Sequence, residues 1–127
     1  MDNGGANSAS RICSIIMKNQ NIIVEKSLDF AVRIVNLYKY LGENALTKQL
    51  LRSGTSVGAN VKEGAYGQSK ADFVSKMSIA LKEAVETIYW LELLNKTEYL
   101  TKEQYASIND DCSEIVKILT AIVKNSK

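Results

Sequence analysis

Four stretches in which apolar side chains recur every three or four residues fill most of this 127-residue chain, and only a few residues separate each from the next. That spacing puts the apolar side chains on one face of a helix, and no alternating strand pattern competes with it. Leu28, Ala31, Val32, Val35 and Tyr38, broadened by Ile34, Leu37 and Leu41, predict a first helix over about 22–41, with Gly42 as its stop. Asn44 caps a second helix that runs to about Tyr66 and ends at Gly67. Ser69-Lys70-Ala71-Asp72 opens a third, whose seam of Phe73, Met77, Ala80, Leu81, Ala84, Val85, Ile88, Leu91 and Leu94 reaches about Asn95. Thr101-Lys102-Glu103-Gln104 is a capping box for the fourth, carried by Tyr105, Ile108, Cys112, Ile115, Leu119 and Ile122 to about Lys124. Helices of roughly 20–26 residues are about 30–39 Å long at 1.5 Å per residue. Near-equal lengths and short connections specify an all-α, up-down-up-down antiparallel four-helix bundle, with little room for a lid or a cleft.

Composition narrows the chemistry. The chain has no histidine, which removes the commonest general base and metal ligand, every Ser-His or Cys-His pair, and the Glu-x-x-His sites of metal-binding bundles. No catalytic residue, metal or cofactor is therefore expected. Glu83 and Glu86 in EAVE are the one carboxylate pair to weigh for catalysis, and a solvated helix face accounts for them. Cys13 and Cys112 lie far apart without metal-ligand spacing, which reads as two free thiols in a reducing cytoplasm, with Cys112 as core filler. No run approaches the roughly 18 apolar residues of a membrane span. The net charge of +2 hides an asymmetry: residues 1–82 hold 11 Lys and Arg against 6 Asp and Glu, while residues 83–127 hold 5 against 8.

The polar opening MDNGGANSAS reads as a tail, and Met17 looks like a natural beginning. Residues 1–20 are accordingly taken as a disordered or non-native extension and 21–127 as the domain.

The stretch LLRSGTSVGANVKEG, residues 50–64, decides what the second helix is for. Its glycines suggest a loop, yet on a helical wheel Leu46, Leu50, Ser53, Val57, Asn60, Val61 and Gly64 gather on one side and Lys48, Arg52 and Lys62 on the other. It is a helix made thin, so that neighbouring backbones can approach at Gly54 and Gly64. A phosphate loop is excluded, because the Gly-Lys-Ser/Thr ending and the preceding strand are absent. Leu51, Gly58 and Ala65 repeat every seven residues on a flank that either receives another subunit or packs within the monomer. Asn60 and Glu63 secure backbone or a basic side chain near Gly64. Tyr89 and Trp90 point about 100° apart, so one of them is available to an interface.

The residues Gln49-Leu50, Arg52, Ser56-Val57, Ala59-Asn60 and Glu63-Gly64, followed by Lys70, Phe73, Ile79-Ala80, Glu83, Glu86 and Leu93, resemble the bacterial four helix bundle protein family. That family is known from intervening sequences of the large-subunit ribosomal RNA gene and from the accessory variability determinant of diversity-generating retroelements. The resemblance covers about residues 20–124. This chain departs from the family at LGEN, where a proline is common, and at Arg52-Ser53, where Arg-Ala is common. Retroelement members are pentameric barrels with a basic central surface that associate with nucleic acid and a reverse transcriptase. The resemblance thus implies a ring-like homo-oligomer, a pentamer, with RNA, DNA and a reverse transcriptase as partners.

The reading that follows is a non-catalytic nucleic-acid-binding oligomer. Its phosphate contacts are Lys48, Arg52 and Lys62, extended by Lys70 and Lys76 on the third helix and by Arg33 and Lys39 on the first. The alternative is a protein-interaction scaffold that uses the Leu51/Gly58/Ala65 flank and Tyr89-Trp90 without binding nucleic acid itself. A helical RNA nuclease of the toxin kind is disfavoured, since such enzymes use an Arg and His pair.

Overall fold

The structure, a computed structural model, describes the backbone of residues 4–126 and the side chains of residues 20–126. Four helices follow one another: α1 (Gly4–Leu41), α2 (Ala45–Ala65), α3 (Lys70–Lys96) and α4 (Lys102–Asn125). No strand occurs among the described residues. The pairs α1/α2, α2/α3 and α3/α4 pack together and α4 returns to α1, which closes an up-down-up-down four-helix bundle.

Local chemistry sets the ends. The Asn44 side chain accepts from the Leu46 and Thr47 amides, and Thr47 returns the bond to the Asn44 amide at 2.9 Å. Ser69 accepts from the Asp72 amide, and Thr101 and Gln104 form a reciprocal box. Gly42 ends α1 with φ +86°, a left-handed conformation that a side chain would strain. Glu98 takes φ 68° in the α3–α4 turn without that freedom.

α1 departs from expectation twice. Its backbone begins at Gly4, not near residue 22, since no proline interrupts this stretch and each added residue gains a helical hydrogen bond. The expectations resting on the side chains of residues 1–19, Cys13 among them, lie outside the described side chains. Its core stripe is also rotated. Ile23, Phe30 and Ile34 are buried, with Leu37 and Leu41 packed on the core, whereas Leu28 and Val32 are 64% and 53% exposed. Of the expected stripe, Ile34, Leu37 and Leu41 face the core, Ala31, Val35 and Tyr38 are half-buried, and only Leu28 and Val32 face solvent.

α2 is thin where it must be. A Cβ on Gly54 would lie 2.8 Å from Ile34 Cγ1, one on Gly58 3.1 Å from the Ser27 carbonyl, and one on Gly64 3.0 Å from Lys76 Cβ. Close approach therefore runs to α1 through Gly54 and Gly58 and to α3 through Gly64. Between α2 and α3 the buried Ser53 and Thr87 hydroxyls meet at 2.9 Å, so neither polar group is stranded in the core.

Candidate nucleic-acid interface

Each cation predicted to meet phosphate has a definite neighbour or none. Arg52, at the middle of α2, bridges to α3: Nη1 donates to Glu83 Oε2 at 3.1 Å and Nη2 pairs with Glu86 Oε2, while Nε donates to Gln49 at 3.3 Å. Two carboxylates on one guanidinium leave the cluster net negative. Arg52 is thus a cross-link between α2 and α3, its charge engaged by carboxylates where a free cation was expected. The reason is the three-residue spacing of Glu83 and Glu86, which puts both on the α3 face opposite Arg52. It also corrects the solvated reading of that pair.

Arg33 and Lys76 are committed in the same manner. Arg33 Nη1 lies 2.5 Å from Asp111 Oδ2 and also donates to the Ser107 carbonyl, tying α1 to α4. Lys26 pairs with Glu114 two turns before it on α1, and that carboxylate raises the Lys26 pKa above its ordinary value. Lys76 Nζ lies 3.4 Å from Glu63. Lys48 faces Glu43 at 3.8 Å with both side chains largely exposed, a loose pair that salt screens. The Tyr38 hydroxyl, donating to Glu43 at 2.7 Å, and then the Lys48 charge hold that carboxyl below its ordinary range.

Three of the predicted cations have no carboxylate partner among the described residues: Lys39, Lys62 and Lys70, all exposed. Lys62 instead holds its ammonium 5.2 Å from the centre of the Tyr66 ring. Lys39 and Lys48 lie near the α1–α2 turn, and Lys62 and Lys70 flank the α2–α3 turn. The Lys48–Lys62 separation along α2 is about 21 Å at 1.5 Å per residue.

The predicted interface flank is largely occupied from within. Leu51 packs on the core, Gly58 receives the α1 backbone at Ser27, and the Ala65 carbonyl accepts from Gln20 Nε2 at 3.3 Å. Of the two readings of this flank, the contacts seen are those of packing within the monomer. Beside it lies an apolar hollow of about 330 Å³ lined by Val24, Leu28, Ala31, Thr55, Gly58, Ala59 and Lys62, which sequence reasoning missed. Its signal was the excess of apolar residues on α1, Leu28 among them. Tyr89 is exposed, whereas half-buried Trp90 stacks edge-on against it at 5.0 Å and donates its indole N–H to Glu86 at 2.9 Å. In the small-residue motif Asn60 donates to its own helix at the Ser56 carbonyl, 2.9 Å away, Glu63 holds Lys76, and Gly64 admits α3.

Among the described residues no group of three or more His, Cys, Asp or Glu could hold a metal, and no helix is long and apolar enough to cross a membrane. The family model described as 23S rRNA-intervening sequence protein matches residues 19–121. A crystal structure of a protein of unknown function, from the S23 ribosomal protein family of Bacteroides thetaiotaomicron, is similar at 59% identity and a TM-score of 0.81, covering 84% of this chain and 98% of that one. No curated protein matches. Neither description names a catalytic activity.

Proposed function

The chain belongs to the 23S rRNA-intervening sequence protein family, and we propose that it is a non-catalytic, RNA-associated bundle that meets phosphates through the lysines its fold leaves unspent. What carries the reading is the family match across nearly the whole bundle together with the exposure of Lys39, Lys48, Lys62 and Lys70 at the two ends of α2. Arg33, Arg52 and Lys76 are withdrawn from the contact set, because their charges are held by carboxylates.

The functional unit, working in the cytoplasm, is the bundle of residues 21–127, with residues 1–20 an N-terminal extension whose last residue, Gln20, reaches α2. Copies assemble into a ring, a homopentamer on the resemblance to retroelement proteins. The apolar hollow with Leu28 and Val32, together with exposed Ile79, Val85 and Tyr89 on α3, supports contact between copies. A ring multiplies a modest set of lysines along one polymer. Contacts of this kind position a backbone without reading bases, so DNA is an alternative polymer. A reverse transcriptase is the protein partner that the resemblance suggests. The scaffold alternative, with no nucleic acid bound directly, is favoured by the same hollow.

The test is fluorescence anisotropy with a single-stranded RNA, comparing wild type with Lys62→Ala/Lys70→Ala. Weakened binding in the variant supports the reading, and superimposable curves remove the lysine assignment. Light scattering that returns a monomer removes the ring.

A further inference from the structure

Tyr66 has no part in the core, although it closes α2. Its backbone does the closing, the Tyr66 N–H donating a hydrogen bond to the Lys62 carbonyl at 3.2 Å, while the residue is 76% exposed. A large ring left in water at a turn gains nothing from burial, so folding does not explain it. Its setting is specific. The Lys62 ammonium lies over the ring at 5.2 Å while Tyr66 as a whole stays largely exposed, and Lys70 follows across the turn as a second exposed cation. Next to the ring is an open hollow of about 450 Å³ lined by Glu63, Tyr66, Gly67, Gln68, Asp72 and Lys76. Glu63 there is neutralised by Lys76 at 3.4 Å. Among the described residues the walls therefore hold one carboxylate without a cation partner, Asp72, and one uncharged amide, Gln68, while Lys62 and Lys70 are not part of the lining.

We propose that Tyr66 is a stacking platform for one unpaired RNA base, with Lys62 and Lys70 receiving the flanking phosphates and Gln68 facing the base edge from the hollow. The inference rests on the RNA-association reading and adds the form of RNA that is taken. An aromatic ring accepts any base through its face, but only when the base is not already stacked in a helix. Tyr40, similarly exposed near the other end of the bundle, lines a groove with Glu103 and with Arg33, whose charge Asp111 holds, and among the described residues no cation lies over its ring, so it is not assigned this role.

The experiment measures binding of a single-stranded RNA, the matching single-stranded DNA and a duplex RNA of the same length to the full chain and to Tyr66→Ala, Tyr66→Trp and Tyr40→Ala, with ultraviolet cross-linking mapped by mass spectrometry. Tyr66→Ala is expected to weaken single-stranded RNA binding by roughly 5- to 150-fold, the span of an aromatic stacking contact. Duplex binding and the helical circular dichroism stay unchanged, Tyr66→Trp retains affinity, and the cross-link maps to Tyr66. Equal loss on single-stranded DNA identifies the shared unpaired base, not ribose, as the ligand and supports the platform. Wild-type-like binding by Tyr66→Ala, or an equal loss in Tyr40→Ala, overturns the platform while leaving phosphate contact standing. Failure of the wild type to bind any of the three overturns both.

Discussion

Arg52 on α2 and Glu86 on α3 form an ion pair whose carboxylate oxygen Oε2 also accepts the Trp90 indole N–H at 2.9 Å, so one oxygen ties together a cation and an aromatic ring. The arrangement separates stability from RNA contact. Arg52→Ala is expected to lower unfolding free energy by about 1 kcal/mol, the upper range for a partly exposed pair strengthened by a second carboxylate. RNA affinity should not improve, because Glu83 and Glu86 are then left uncompensated. Urea melts and anisotropy on one sample check both halves. An unchanged melt together with a large affinity loss would return Arg52 to the phosphate contacts.

Gly54 tests the thinness of α2. Alanine there gains helix propensity of about 1 kcal/mol. Against this, its Cβ would stand 2.8 and 2.9 Å from Ile34 Cγ1 and Cγ2, and overpacking of a filled core costs about 1–3 kcal/mol. Ile34 is itself fully buried and branched, so it has little room to yield. Gly54→Ala should be net destabilising in equilibrium unfolding, and a stabilised variant would mean that α1 and α2 stand further apart.

Cys112 gives a pH signature. Burial first, and the Asp111 charge second, push its thiol from 9.0 up to about 12, and Sγ donates to the Ala84 carbonyl at 3.4 Å. Between those values the folded chain keeps a proton that the unfolded chain gives up. This contribution is therefore complete below pH 9.0 and lost as pH rises toward about 12. Compared at about pH 8 and about pH 10.5, the stability gap between wild type and Cys112→Ala should shrink at the higher pH. A gap that stays constant would place the thiol in water.

Much of the fold was legible because it is written locally. Asn44, Ser69 and Thr101 cap their helices through bonds spanning three residues, and the glycine-dotted α2 sorts into two faces within its own length. The inside of α1 is legible only in part: Ile34, Leu37 and Leu41 belong to the expected face, but Leu28 and Val32 fit the same spacing as Ile23 and Phe30, and only packing decides which of them is covered. Charge partners were illegible for a related reason. A wheel gives the direction of Arg52 but not that Glu83 and Glu86, some thirty residues on, stand opposite it. Three of the seven cations have close carboxylate partners on adjacent helices, which no wheel of a single helix reveals, and Tyr66 closes α2 without belonging to any apolar stripe.

Salt dependence addresses the central claim most directly. RNA affinity of the wild type and of Lys62→Ala/Lys70→Ala, measured from 50 to 300 mM salt, gives a slope of log affinity against log salt in which each phosphate contact to a single strand contributes about 0.7. The account predicts a falling line for the wild type and a shallower one for the double variant, by about 1.4 for each chain engaged on the strand, since each such chain loses two contacts. Parallel lines, or a wild type indifferent to salt, would contradict it.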